Sequence, residues 1–184
     1  WRHWRTHVPE GEPDIDDDYG KTYFNPMYKN LDQLANLIEG LKTNPNSRRH
    51  MVISYNPGEI DQMALPACHA MFQMYVSKNK LSCQMYQRSG DSYLGIPFNI
   101  ASYAILLHLL AKEVNMVPNR LIFNGGDCHI YSNQLEGVNE QLDRETYKLP
   151  KLKLHNSSIF DVKYEDFEIV DYLSSPTIKF PLSN

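Results

Sequence analysis

A chain of 184 residues is long enough to bury one sizeable core, and its length does not call for two domains. With 42% hydrophobic and 22% charged residues, the composition is that of an ordinary soluble globular protein, which excludes a disordered chain. A net charge of −4 excludes bulk attraction to nucleic acid or an anionic membrane, so an anionic ligand needs a local cluster of arginines to hold it.

The chain opens on Trp1 rather than Met, and Trp-Arg-His-Trp reads as the middle of a longer sequence. Residues 8–18, rich in Pro, Gly and acid, predict a solvated loop. Leu31, Leu34, Leu37, Ile38 and Leu41 recur at helical spacing, and Asn44-Pro45-Asn46 stops that helix. Met51 to Tyr55 predicts a strand ended by Asn56-Pro57-Gly58. The β-prone runs Cys68–Val76 and Leu81–Tyr86, joined by Ser77-Lys78-Asn79-Lys80, predict a hairpin. Residues 97–114 are the most apolar stretch and, with Pro97 at their head, predict a buried helix. Arg120 to Phe123 predicts a short strand feeding a turn at Asn124-Gly125-Gly126-Asp127. A helix from about Tyr131 to Leu142 and short strands near 151–155 and 166–171 complete the pattern. Clustered strands with helices between them predict an α+β fold, a mixed β-sheet packed against a long buried central helix. No apolar run approaches a membrane span.

Cys68, Cys83 and Cys128 are too widely spaced for a disulfide framework or a metal finger, which points to the cytoplasm and leaves a free thiol for chemistry. Cys83, between Leu81 and Met85 at strand period, belongs to the core. Two roles are open to Cys68. It is in phase with Ala70, Phe72 and Met74, as a core residue would be, yet it stands at a strand start beside Pro66 and His69, where side chains face clefts. Gln87-Arg88-Ser89-Gly90-Asp91 is either a ligand shelf, with arginine suited to a bidentate grip on phosphate, or a solvated loop. Arg48-Arg49 is a basic spot or merely a charged face. Asn99 offers a donor and an acceptor at the head of an apolar helix, for a ligand edge or for capping. His129 and Tyr131 stand near the end of a glycine turn, exposed to a ligand or packed as aromatics.

The joint order of these motifs is more specific than any one of them. Cys68-His69, Gln87-Arg88-Ser89-x-Asp91, Gly95-x-Pro97-Phe98-Asn99-Ile100-Ala101-Ser102-Tyr103 and Gly125-Gly126-Asp127-x-His129-x-Tyr131-x-Asn133 together resemble the thymidylate synthase family. The resemblance runs from about Tyr19-Gly20-Lys21 to Asn184, and Trp1 and Trp4 resemble the family's Trp-x-x-Trp, which lies well inside full-length members. It implies one catalytic domain over 1–184, preceded by a segment carrying the family's catalytic glutamate and one phosphate-binding arginine.

The resemblance also implies an activity: reductive methylation of dUMP to dTMP with 5,10-methylenetetrahydrofolate, without metal. Cys68 resembles the nucleophile that attacks C6, a soft thiolate that adds readily and leaves again. Arg88 and Ser89 resemble the phosphate grip and Gln87 stands in the same substrate motif, while Arg48 and Arg49 resemble a pair donated by the other subunit of a homodimer. Asn99 resembles the reader of the uracil O4 and N3–H edge, and His129 and Tyr131 the contacts to the deoxyribose 3′-hydroxyl. Asp91, Gly95 and Trp1 fall on the folate side. His69 and Tyr19 resemble members of a polar network around the base, with Tyr19 a helper in removing the C5 proton. Two segments depart from the family pattern: Thr22-Tyr23-Phe24, where members commonly have Gln-Trp-Arg, and the terminus Pro181-Leu182-Ser183-Asn184, where members close on small apolar residues. The same scaffold has a hydroxymethylating variant that adds water instead of hydride, decided by water exclusion at the lid. A non-catalytic nucleotide- or RNA-binding protein on this fold is the third alternative.

Overall fold

The computed structural model describes residues 3–7, 28–155 and 158–182. Trp1, the loop 8–18, Tyr19 and Asn184 lie outside the described residues. A first strand, β1 (His3–His7), pairs antiparallel with β2 (Tyr28–Asp32), which leads directly into α1 (Gln33–Thr43). Asp32 caps that helix by accepting from Ala35 N at 3.0 Å, satisfying one of the amides that a helix start leaves without a partner. Leu37, Ile38 and Leu41 give α1 its buried stripe.

The main sheet among the described residues has the order β3-β4-β5-β6: β3 (Met51–Ile53), β4 (His69–Ser77), β5 (Lys80–Asp91) and β6 (Val117–His129). The predicted hairpin joins β4 to β5. Ser77 pairs with Lys80, and Lys78 and Asn79 take φ of 49° and 59°, the primed turn whose twist suits an antiparallel pair. β5 and β6 run parallel, which no tight turn can connect, so α2 (Ile96–Glu113) makes the crossover. A short 3-10 turn at Ser132–Gln134 then leads into α3 (Leu135–Leu142), and β7 (Lys151–Leu154) pairs antiparallel with β8 (Phe167–Val170).

One face of the sheet meets α1 and α2. Val52, Phe72, Met74, Leu81, Cys83 and Met85 pack there against Leu41, Tyr103, Leu107 and Leu110 in a continuous apolar core. The structure thus has the expected α+β architecture, with one refinement. The central helix is buried on one side, through Tyr103, Leu107, Leu110 and Ala111, while Phe98 is 70% exposed and Ile100 is exposed too. Apolarity all round marks a helix for burial but does not select which side meets this sheet.

Several expected boundaries shift: the strand expected to run to Tyr55 ends at Ile53, the helix expected from about Tyr131 begins at Leu135, and two further shifts bear on the site. The strands predicted to end at Tyr86 and Phe123 run on to Asp91 and His129, so the polar block and the glycine segment are ladder, not loop and turn. Polar side chains can stand on a strand when its neighbour satisfies the backbone. The glycine makes that neighbour possible. A Cβ on Gly126 would lie 2.7 Å from the backbone oxygen of Arg88, so only a residue without one lets β6 close on β5 here.

Candidate active site

Four chain segments converge on one edge of the sheet. β4 starts there at His69, the parallel strands β5 and β6 end there, and α2 begins there at Ile96. The register aligns His69 with Gln87, Gln87 with Gly125, Ser89 with Asp127 and Asp91 with His129. The carboxyl ends of parallel strands are where ligands bind in sheets of this kind, because loops and helix starts can surround a crevice there.

Cys68 sits immediately before β4 and is half-buried. Its carbonyl accepts from Arg88 N at 2.8 Å, and the Arg88 guanidinium donates to Ala67 O at 3.1 Å and Pro66 O at 2.5 Å. Arg88 therefore braces the segment that presents the thiol. Cys83 contrasts with it as expected: it is fully buried, and burial pushes its thiol up to about 12, which leaves it inert. Cys128 is exposed.

Gln87 is 3% exposed, at the site end of the core. Its Nε2 donates to Ser89 O and to Asn99 Oδ1, both at 2.9 Å, while its Oε1 is buried with no protein partner. Gly90 makes room for this amide, since a Cβ there would come within 2.7 Å of Gln87 Nε2. The N-cap of α2 is Gly95, with no side-chain cap, so Asn99 is a bonded partner of Gln87 rather than a helix cap. Gly95 N donates to Asp91 O at 3.1 Å.

Asp91 closes the corner. Its Oδ1 accepts from Tyr93 N and Leu94 N at 2.8 and 2.9 Å, and its Oδ2 from Gln134 Nε2 at 2.9 Å. Partial burial alone would raise its pKa, but the bonds from Gln134, Leu94 and Tyr93, with His129 nearby, outweigh that and hold the carboxyl below its ordinary value. A depressed value in the folded state means stability that is complete above the ordinary carboxylate pKa of about 3.9 and fades as pH falls through the lower, folded-state value. Asp91→Asn is expected to remove part of the protein's loss of stability in acid, seen as a shallower fall of the urea midpoint from about pH 5 to about pH 2.

His129 Nδ1 lies 3.2 Å from Asp127 Oδ1, and its ring meets Tyr131 edge-on with centroids 5.0 Å apart. Both residues are half-buried. His69 packs its ring against Tyr103 at 5.4 Å and offers its carbonyl to Ser54 Oγ. Gln134, which the motif reading missed, is buried and bridges the site: it donates to Asp91 and accepts from Tyr131 N at 3.4 Å. In the sequence it shows only as an amide near the start of a helix.

The edge thus gathers Cys68, His69, Gln87, Arg88, Ser89, Asp91, Gly95, Asn99, His129 and Tyr131. It does not gather Arg48 and Arg49. Arg48 O accepts from Gln73 Nε2 and His50 O from Met74 N, so the pair lies beside the middle of β4, about 20 Å along the strand from Cys68. Both are exposed, and Arg48 lines a cavity of about 500 Å³ on the open sheet face, with Tyr75, Arg120 and Ile122. A second cavity, of about 720 Å³, adjoins the Asp91 corner, with Tyr93, Leu94 and Phe98 on one side and Tyr147, Tyr172 and Phe180 on another. Among the described residues no helix is long and apolar enough to cross a membrane.

An accessible thiol, a guanidinium, an oriented amide and an imidazole–phenol pair on one shelf suit a small anionic ligand with hydrogen-bonding edges. The family described as thymidylate synthase matches residues 1–184. The thymidylate synthase of Staphylococcus haemolyticus is 51% identical over 174 residues, covering 92% of this chain and 55% of that protein. Those of Francisella tularensis subsp. holarctica and Francisella philomiragia subsp. philomiragia are each 48% identical over 198 residues, covering 100% of this chain and 71% of their own length. The chain thus spans little more than half of the staphylococcal relative. A match over every residue, at identities near one half, settles descent: this chain belongs to the thymidylate synthase family.

Proposed function

We propose that the protein to which this chain contributes converts dUMP to dTMP, taking methylene and then hydride from 5,10-methylenetetrahydrofolate, and that residues 1–184 belong to its catalytic domain. The observation that carries this reading is the meeting, at one end of the sheet, of half-buried Cys68 before β4, Arg88 on β5 and the Gln87-bound Asn99 on α2. The chemistry needs that meeting. C5 of uracil becomes nucleophilic only when a group adds at C6, and a thiolate both adds and leaves readily. Cys68 Sγ bonds to C6, the electron pair reaches C5, and C5 takes the folate methylene. Loss of the C5 proton, with Tyr19 assisting, breaks the bond from the methylene to the folate nitrogen and leaves an exocyclic methylene on the ring; hydride from the released tetrahydrofolate adds to that methylene, the C5–C6 double bond re-forms and the Cys68 thiolate leaves. The products are dTMP and dihydrofolate.

Asn99 donates from Nδ2 to O4 and accepts N3–H on Oδ1. Gln87 occupies one lone pair of that oxygen, fixes which way the amide is turned, and leaves the other lone pair for the base. Arg88 and Ser89 hold the phosphate, His129 and Tyr131 the 3′-hydroxyl, and His69 orders polar groups around the ring. Asp91, with Gly95 and Trp1, faces the folate. The free thiols at positions 68, 83 and 128 favour a cytoplasmic setting.

The distance of Arg48 and Arg49 from Cys68 favours their service to a neighbouring subunit. The open sheet face beside them exposes Met51, Ile53, Met71, Tyr75 and Ile122, an apolar surface suited to a second copy of the chain. Mixing inactive Cys68→Ser with inactive Arg48→Ala protein should restore activity, because one site per mixed dimer is whole. Proven subunit exchange without recovered turnover would refute the borrowed arginines.

The names of the relatives favour methylation over the hydroxymethylating alternative. The deciding assay is product analysis with dUMP and methylenetetrahydrofolate. Equal amounts of dTMP and dihydrofolate are expected, whereas tetrahydrofolate with a 5-hydroxymethyl nucleotide would move the assignment to the alternative.

A further inference from the structure

We propose that Gly137 and Arg144 are positioning residues that seat the C-terminal segment Tyr172–Leu182 as a wall of the cavity beside Asp91. Gly137 lies inside α3, a helix of only eight residues, where glycine weakens helix formation. The structure supplies a reason for it. A Cβ at this position would lie 2.6 Å from Phe180 Cε1, 2.9 Å from Phe180 Cζ and 3.0 Å from Ile178 Cγ2. The ring of Phe180 fills the notch that the missing side chain leaves, and its other contact is Tyr93, with ring centroids 5.4 Å apart. Arg144, just past the helix, makes a second fastening: Nη1 donates to Pro176 O at 2.6 Å while Glu140 holds Nη2 at 2.5 Å.

The segment is thus pinned at 176 and again at 178–180. Tyr93 connects this seat to the site, because its own N–H donates to Asp91 Oδ1. The same residues, with Leu94 and Phe98, enclose the cavity of about 720 Å³. Resting on the reading that the Asp91 corner meets the folate, the seat sets how closely the segment approaches that co-substrate.

The test needs no substrate for its first readout. In the full-length protein, trypsin should cut after exposed Lys179 about tenfold faster in Gly137→Ala than in wild type, with the melting temperature preserved. Phe180→Ala and Arg144→Gln, which leave the helix backbone intact, should accelerate the same cut, so a misfolded Gly137→Ala would not end the test. In the Phe180→Ala background, Gly137→Ala should add nothing, since the clash it creates has been removed. Unchanged cleavage in folded Gly137→Ala, or full additivity of the two changes, would overturn the seat. The KM for methylenetetrahydrofolate should rise about tenfold in Gly137→Ala while the KM for dUMP stays put. Faster cleavage with both KM values unchanged would support the seat and overturn the folate reading of the cavity instead.

Discussion

Cys68→Ser is expected to lower the rate of dTMP formation by at least about a thousandfold while dUMP still binds. The serine hydroxyl stays protonated at neutral pH and is a poor nucleophile towards C6, whereas sulfur is soft and readily ionised. The surroundings should tolerate the change. Arg88 braces the segment through the carbonyls of Pro66, Ala67 and Cys68, none of which involves the sulfur. A loss of rate therefore reads as lost chemistry, provided that the urea midpoint is unchanged. Cys83→Ser is the matched control: it puts a hydroxyl in the core and should cost about 1–3 kcal/mol of stability with little change in turnover per folded molecule. Steady-state rates and dUMP titration of both variants decide the matter. Wild-type turnover in Cys68→Ser would remove the covalent mechanism and favour a binding protein on this scaffold.

Asn99→Asp is expected to reduce kcat/KM for dUMP by roughly a thousandfold and to move preference towards dCMP. The amide supplies one donor and one acceptor, and a carboxylate supplies acceptors only, so O4 of uracil would face an oxygen that repels it. The exocyclic amine of cytosine, a donor, would be accommodated instead. Gln87 Nε2 can still donate to a carboxylate oxygen at position 99, so the amide that orients this side chain keeps its partner. Competition between the two nucleotides at equal concentration gives the ratio directly. A variant that kept its dUMP efficiency within about threefold would place position 99 away from the base.

The legibility of the site followed the range of the interactions that build it. Period-two alternation marks Leu81, Cys83 and Met85 as one strand face, and helical spacing marks Leu37, Ile38 and Leu41 as another buried stripe; both are core in the structure, with Leu34 packed at its margin, whereas Leu31, read into the same helical spacing, lies in β2. Each pattern is a property of neighbours in the chain, so it can be read without coordinates. The order of the polar motifs likewise pointed to the family before any geometry was known. Its departures at 22–24 and at the terminus lie wholly or partly outside the described residues.

What escaped the sequence depends on partners distant along the chain. The polar block 87–91 reads locally as a loop, and only the parallel register with 125–129, reached across the whole of α2, makes it a strand. The choice of which α2 face meets the sheet, the bridge from Gln134 to Asp91 and the seating of Phe180 on Gly137 are of the same kind. By itself, the sequence determined the kinds of element, the core residues and the chemical groups available to the site. Tertiary structure alone decided that Cys68 and Asn99 share an edge while Arg48 and Arg49 do not. The reason is physical: side-chain period is set by the backbone of a single segment, whereas strand register and helix facing are set by how non-neighbouring surfaces pack.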